Sequence, residues 1–333
     1  MHFLVTGHTG FKGSWLIALL KSKGHEVSGY SLAPVQGGLF DLAKLDQDLK
    51  HHTIADIRDR GSLKSALDEA KPDVVVHLAA QPLVLRSYED PVETYTTNVN
   101  GTLNLLQAVT ELSSPPVTLV ITTDKVYRDT GKGAYSESDA LGGHDPYSAS
   151  KAMADILTQS WAETHALLPL HIARAGNVIG AFDVSPDRLL PDVLRSLEGK
   201  STLKVRYPEA VRPWQHVLDC LNGYLTFIEG IAEGRRLPIA LNFGPDPGGI
   251  RSVSDVLRVV SSAFPELRLE VTQTPKLKET GLLTLNSELA HKHLGWQNKI
   301  NFEDAIQLSL SVLDGTTRAS AYRDVGAFLK HRT

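Results

Sequence analysis

The apolar positions in the first half of the chain come in short unbroken runs set between longer helical patterns. The runs are Phe3-Leu4-Val5-Thr6, Glu26-Val27-Ser28-Gly29-Tyr30, His52-Thr53-Ile54-Ala55, Val74-Val75-Val76-His77-Leu78, residues 117–122 and Leu170-His171-Ile172-Ala173. Runs with little polar alternation belong to strands covered on both faces, as in a parallel sheet flanked by helices. Between the first two, helical periodicity predicts a helix from about Lys12 to Lys23. Strand, helix and strand in this repeating order predict an α/β fold with a doubly wound parallel sheet. Beyond about Arg174 the rhythm loosens, with Gly176, Gly180, Pro186, Pro191, Pro208 and Pro213 as punctuation. Pro238–Phe243 reads as one more strand that returns to the sheet, so the second domain is expected to be smaller and discontinuous. The expected division is 1–176 plus about 212–243 for the first domain, and about 177–211 with 244–333 for the second.

Composition narrows the class. A chain of 333 residues, 42% hydrophobic and 22% charged, buries a large core. The net charge of -4, with no Lys/Arg cluster interleaved with aromatics, argues against a nucleic-acid partner. One cysteine, Cys220, excludes an internal disulfide and a cysteine metal cluster, in keeping with a reducing compartment. No apolar run has the length of a membrane span, and strand-like residues from His2 leave no room for a signal peptide. The expectation is a soluble cytoplasmic protein.

Directly after the first strand stands Thr6-Gly7-His8-Thr9-Gly10-Phe11-Lys12-Gly13, with glycines at spacing three and three. Glycine there permits a tight turn, close approach of backbone to a pyrophosphate, and close packing of helix on sheet. The helix N-terminus then offers free amides and a partial positive charge. Taken alone the glycines fit a plain tight turn as well. Their place between strand one and helix one selects dinucleotide binding and a Rossmann-type sheet. The tip of strand two, Tyr30-Ser31-Leu32-Ala33-Pro34, has no carboxylate for a ribose, and no arginine precedes Arg58, which favours NAD over NADP. Asp56-Ile57 has two readings, a flank for adenine or a cap before Arg60-Gly61-Ser62. Leu78-Ala79-Ala80 at a strand tip reads as cofactor lining or as core, and His77 and His216 as satisfied core histidines.

Chemistry enters with Tyr147-Ser148-Ala149-Ser150-Lys151, which opens a helix after Asp145-Pro146. Tyrosine and lysine four apart share a helix face, and an ammonium beside the phenol favours the phenolate. A hydroxyl residue, Thr123, ends the intervening strand, and an acid and a base, Asp124 and Lys125, follow it. A charged pair at a strand end is ordinarily just solvated.

These residues resemble the extended short-chain dehydrogenase/reductase superfamily, whose members act on nucleotide sugars, and within it the family of CDP-glucose 4,6-dehydratases. The resemblance runs over "TGHTGFKG", "HLAAQPLV", "SYEDPVETYTTNVNGT", "TTDK", "LGGHDPYSASKA", "ARAGNVIG", "DRLLPD", "RPWQHVLD", "LNFGP" and "LGW". It implies bound NAD, oxidation at the sugar C4, loss of water across C5 and C6, and return of the hydride to C6. It implies that Tyr147 removes the 4-hydroxyl proton, Thr123 hydrogen-bonds that oxygen, and Lys151 holds the nicotinamide ribose and lowers the tyrosine pKa. Asp124, kept protonated by burial, would donate to the departing hydroxyl. Lys125 would take the C5 proton, for which burial or nearby cations must lower its pKa from about 10.4, or would instead orient substrate oxygens. The cofactor set is then Gly7, Thr9, Gly10, Phe11, Lys12, Gly13, Asp56, Ile57, Leu78, Ala79 and Ala80 with Tyr147 and Lys151. The substrate set is Gln81, Arg86, Asn177, Arg188 and Arg212, with Asn177 and Arg212 at the diphosphate; a turn asparagine and a surface arginine are the plainer readings. Long helices at Glu93–Leu112 and Tyr147–Trp161 are expected to pair in a homodimer.

Three segments depart from that family: "YRDTGKGAYS" at 127–136, Ala181-Phe182-Asp183-Val184 where further glycines and a tryptophan are expected, and Lys278-Glu279 where His-Glu is usual. They leave the nucleotide and the sugar open. A 4-epimerase or 4-reductase needs only Thr123, Tyr147 and Lys151, and the Asp124-Lys125 pair argues against it. A redox-silent NAD-binding regulator would have been free to lose all three.

Overall fold

The computed structural model describes residues 1–272, 283–314 and 318–330. Seven parallel strands form the central sheet: β1 His2–Thr6, β2 Glu26–Ser31, β3 His52–Ile54, β4 Val74–His77, β5 Val117–Thr123, β6 Leu170–Ala175 and β7 Ala240–Phe243, in the order β7-β6-β5-β4-β1-β2-β3. The expected doubly wound sheet is thus present, and the late strand does return to it beside β6. The apolar runs are continuous because both faces are covered. Phe3, Val5, Val74 and Val76 enter one buried cluster, while Leu4, Tyr30 and Val75 enter another on the opposite face.

Strand order reverses between β1 and β4, the switch point at which such sheets bind ligands. Register decides what meets there. Thr6 pairs with His77, so Gly7 lies beside Leu78, and Thr123 pairs with Ala175, so Asp124 lies beside Gly176.

A further buried cluster, from Ile179, Leu190, Val193, Leu203, Trp214, Val256, Phe302 and Ile306 among others, stands apart from the sheet clusters. It packs the helix Leu189–Glu198 against Val253–Ala263 and Phe302–Leu310. Two small ribbons flank it, Val211–Pro213 with Ile250–Ser252 and Thr202–Val205 with Arg268–Val271.

One expected helix is divided. In place of a continuous Glu93–Leu112 helix, Pro91–Tyr95 and Gly101–Thr110 are joined by a wide π turn, Thr96–Asn100. The cause is Asn98, buried in the turn, which accepts from the Gln81 backbone nitrogen at 2.8 Å and donates to Ser150 Oγ at 2.9 Å. Those bonds need the side chain turned inward, which a regular helix would not allow here. No described helix is long and apolar enough to cross a membrane.

Candidate active site

The glycine turn is built as a cradle. Gly7 takes φ +74°, and a Cβ there would lie 2.7 Å from the Ala79 nitrogen. A Cβ at Gly13 would lie 2.2 Å from the Gly7 carbonyl oxygen. Real side chains cannot occupy either place, so the turn packs backbone against the tip of β4 and helix against turn, which only glycine permits. The helix Phe11–Ser22 starts from it with no acidic residue in its first turn. Thr9 braces the turn by hydrogen-bonding Ser31 Oγ at 2.8 Å and donating to the Leu32 carbonyl at 2.9 Å. Bare backbone and an uncapped helix N-terminus fit a dinucleotide diphosphate. Lys12 Nζ donates to Tyr224 Oη at 3.2 Å, and Phe11 leans towards Gly180.

Leu78, Ala79 and Ala80 are half-buried beside Gly7, with the Leu78 nitrogen donating to the Thr6 carbonyl at 3.0 Å. His77 is a satisfied core histidine: Nδ1 meets Thr6 Oγ1 at 2.7 Å, Nε2 meets Thr102 Oγ1 at 3.1 Å, and burial pushes its pKa down to about 3. His216 is buried too and caps the helix Val217–Ala232. Asp56 does not cap the next helix; Asp59 does, accepting from the Ser62 nitrogen at 3.0 Å. The Asp56 carboxylate holds Arg58 in a fork at 3.0 and 2.5 Å, and that guanidinium keeps it below the usual carboxylate range. Ile57 is buried behind it.

At the tip of β5 the chain turns through Asp124–Val126, and Asp124 is buried. Its two oxygens have different surroundings. Oδ1 accepts from Thr123 Oγ1 at 2.8 Å and from Lys125 Nζ at 3.3 Å. Oδ2 points over Gly176, where a Cβ would lie 3.1 Å from it. A residue with a side chain at 176 would crowd the acid, so the register that sets Asp124 beside a glycine is part of the site.

Tyr147 stands on the helix Pro146–Thr164, capped by Asp145 through the Ser148 nitrogen at 2.9 Å. Burial raises the Tyr147 pKa; the Lys125 charge, the Thr123 hydroxyl and the Arg188 charge pull it back down, and Asp124 pushes it up. The lysine expected for that task, Lys151, donates to the Ile121 carbonyl at 2.7 Å. Desolvation holds its pKa down at about 8, against Asp155, with Lys12 adding to the depression. Lys125, Thr123 and Asp124 thus all act on Tyr147, while Lys151 is bonded to the backbone of β5.

The substrate set is brought together only in part. Asn177 is half-buried directly after Gly176, with its carbonyl accepting from the Gln215 nitrogen at 3.2 Å. Arg188 is near enough for its charge to reach Tyr147. Arg212 lies half-buried in the Val211–Pro213 ribbon. Gln81 is used inside its own loop: Nε2 donates to Leu83 O at 3.1 Å and Thr94 Oγ1 at 2.8 Å, and Oε1 accepts from the Leu83 nitrogen at 2.7 Å. Arg86 is exposed and forks onto Glu93 at 2.7 and 2.9 Å. Lys278 and Glu279 lie outside the described residues.

Beneath the site runs a buried polar network that the sequence pattern does not announce. Arg174, 1% exposed, forks onto Asp155, 0% exposed, at 2.9 and 2.8 Å. It also donates to Tyr127 Oη at 2.8 Å, which donates on to Asn242 Oδ1 at 2.8 Å. Asp155 accepts from Thr122 and Gln159 as well. The network ties the tyrosine helix, the ends of β5, β6 and β7, and the residue after the Asp124–Val126 turn into one unit. One signal was available: Asp155 continues the Tyr147, Lys151 stripe by another four residues.

A model of the "NAD dependent epimerase/dehydratase family" matches residues 3–242. The chain is 40% identical over 308 residues to the CDP-glucose 4,6-dehydratase of Salmonella typhimurium, covering 88% of this chain and 84% of that one. A dTDP-glucose 4,6-dehydratase from Bacillus anthracis, solved in complex with NAD, superposes at TM-score 0.81 with 22% identity, over 98% of this chain and 99% of that one. A UDP-glucose-4-epimerase from Stenotrophomonas maltophila with bound NAD superposes at 0.80, also with 22% identity, over 96% and 99%. Likeness at that identity concerns the fold, which dehydratase and epimerase share. The family model spans well over half of the chain and takes in the glycine cradle, Thr123, Tyr147 and Lys151, and the chain belongs to the NAD dependent epimerase/dehydratase family.

Proposed function

We propose that this protein is a nucleotide-sugar 4,6-dehydratase using NAD, with CDP-glucose as substrate and CDP-4-keto-6-deoxyglucose and water as products. The observation that carries the reading is the buried Asp124 carboxyl, set between Thr123 and Lys125 beside Tyr147. A 4-epimerase or 4-reductase works at one carbon and has no use for a second acid and base there. The 40% identical relative bears the same activity in its name.

On this reading the cradle of Gly7, Gly10 and Gly13, with the first turn at Phe11 and Lys12, holds the cofactor diphosphate, and Leu78–Ala80 lie along it. NAD, when bound, supplies hydride exchange with the sugar. Tyr147 takes the 4-hydroxyl proton while Thr123 hydrogen-bonds the same oxygen. Asp124 donates its proton from Oδ2, the oxygen not engaged by Thr123 and Lys125, to the leaving C6 hydroxyl. Lys125 Nζ lies 3.3 Å from Oδ1, and passage of one proton from its ammonium to Asp124 would leave a neutral amine to take the C5 proton, so that acid and base flank one carbon–carbon bond. Asn177, Arg188 and Arg212 meet the diphosphate, where an arginine fork suits phosphate oxygens. The lobe built on the second apolar cluster, from the helices Leu189–Glu198, Val253–Ala263 and Phe302–Leu310, receives the nucleotide.

The test is a mass-spectrometric assay of the purified protein with NAD and an equal mixture of CDP-, UDP-, dTDP- and GDP-glucose. Loss of one water from the CDP sugar alone is expected; a mixture unchanged in mass would overturn the dehydratase. Asp124→Asn is expected to slow water loss by about 10²–10⁴-fold while leaving isotope exchange at C4 in place. Equal collapse of both steps would remove the acid role.

The reading includes a homodimer and a reducing, cytoplasmic setting, which the buried free thiol of Cys220 suits. Met153 and Ile156 on the tyrosine helix are 48% and 52% exposed, and Tyr88 and Val92 on the adjoining helices 53% and 69%. Apolar side chains at that exposure on neighbouring helices suit a second copy. Ile156→Glu should sediment as a monomer; an unchanged dimer would place the contact elsewhere.

A further inference from the structure

The segment after Gly180 departs from the regular pattern in conformation as well as in sequence. Phe182 takes φ +65° and Asp187 φ +59°, left-handed angles that favour glycine and are rare for a bulky aromatic. Backbone strain of this kind persists only where the surroundings over-determine it. Here they do. Trp15, on the helix that follows the glycine cradle, donates from Nε1 to the Ala181 carbonyl at 3.0 Å, and its ring lies 6.3 Å from that of the buried Phe182. What the held turn delivers is a buried acid. Asp183 is 5% exposed; its Oδ1 accepts from the Ser185 nitrogen at 3.0 Å and its Oδ2 accepts from Arg188 Nη1 at 3.2 Å.

A carboxylate removed from water is costly unless it is paired. Asp183 therefore has a stated reason to grip Arg188, whereas Arg188, with 35% of its side chain exposed, is half in solvent and would be loose without it. Gripping by Nη1 leaves the Nε and Nη2 edge of the guanidinium without a partner among the described residues. That edge is the one suited to forked contact with phosphate oxygens. The charge of Arg188 is also felt at Tyr147.

We propose that Asp183 is a positioning residue that fixes Arg188 for the substrate's nucleoside diphosphate, and thereby sets substrate affinity rather than the rate of chemistry. The inference rests on the reading above that Arg188 meets the diphosphate. Holding the fork in place beforehand removes the rotamer cost from binding. The carboxylate contributes orientation and lowers the net positive charge, so a purely electrostatic role predicts the opposite sign on its removal.

The experiment is steady-state kinetics of the NAD-loaded enzyme with the nucleotide sugar, on Asp183→Asn, Arg188→Ala and the double variant. Asn at 183 keeps an acceptor for Ser185 but turns an N–H towards Arg188. The KM of Asp183→Asn should rise about tenfold with kcat within about threefold, the signature of lost uniform binding. On the Arg188→Ala background the same change should alter KM by less than about twofold, because Asp183 acts only through Arg188. Unchanged or lowered KM in Asp183→Asn, or effects that add in the double variant, overturns the proposal. If Arg188→Ala itself leaves KM unchanged, it is the diphosphate reading that fails. Should Asp183→Asn unfold, Asp183→Glu keeps the charge but displaces the guanidinium by a methylene. It must raise KM in the same way, and a wild-type KM there counts against the proposal.

Discussion

Tyr147→Phe should abolish oxidation at C4, with a loss of about 10²–10⁴-fold in the formation of the 4-keto sugar. The phenol oxygen is the group that would take the 4-hydroxyl proton, and phenylalanine keeps the ring and its packing while removing only that oxygen. Its surroundings set the pH dependence as well. Burial holds the phenol above its ordinary pKa, opposed by Lys125, Thr123 and Arg188, so its base form grows as pH rises. Lys151, expected at the nicotinamide ribose, sets the other limit: with its pKa held down at about 8 by desolvation, it loses above that value the charge with which it would hold the cofactor. Activity should therefore climb from neutral pH and level off above about 8, where each further gain of phenolate is offset by loss of the Lys151 charge, and the Lys151→Arg variant, which cannot deprotonate, should go on climbing past that point. Cofactor absorbance in a single turnover reads the oxidation step directly. A phenylalanine variant that forms the 4-keto sugar at full rate would remove Tyr147 from the mechanism.

Arg174→Met is expected to have the largest effect on stability, a loss of about 3–5 kcal/mol in urea unfolding. Arg174 and Asp155 are both fully buried, and removing one leaves the other as an uncompensated charge. Tyr127 and Thr122 would keep their contacts with what remains but could not neutralise it. The double variant Asp155→Leu/Arg174→Met removes both charges and should recover a large part of the loss, since an apolar pair of similar volume is often tolerated. A single variant within about 1 kcal/mol of the parent would show that the pair does not carry this weight. Because Arg174 also anchors Tyr127, just beyond the Asp124–Val126 turn, the folded fraction of the single variant should lose water elimination before it loses cofactor binding.

Much of this was open to reading in the chain itself. The seven strands could be located because a parallel sheet covered on both faces demands unbroken apolar runs, and Val74-Val75-Val76 has no other simple use. The cradle was legible because the clash at a Gly7 or Gly13 side chain is a property of the turn, present in the spacing of the glycines. Tyr147 and Lys151 were legible because the helix repeat is local. The division of the 93–112 helix was not, because it follows from Asn98 bonding to Gln81 and Ser150, residues remote in sequence. The cap at Asp59 rather than Asp56 turns on where the helix starts by a residue or two, which propensity resolves poorly.

What the sequence by itself determined is the doubly wound sheet, its glycine cradle, and the local motifs that end β5 and open the tyrosine helix, since each rests on periodicity or on sterics within a few residues. What only the tertiary structure decided is which groups act on one another. Lys151 bonds to Ile121, and the Lys125 charge acts on Tyr147; Gly176 lies beside Asp124 by strand register; Asp155, Arg174, Tyr127 and Asn242 close one network from four separate stretches; Asp183 grips Arg188 across a strained turn. The physical reason is common to all of them. Hydrogen bonds and ion pairs are short-ranged and directional, so their partners are chosen by packing and register, which no local stretch of residues contains.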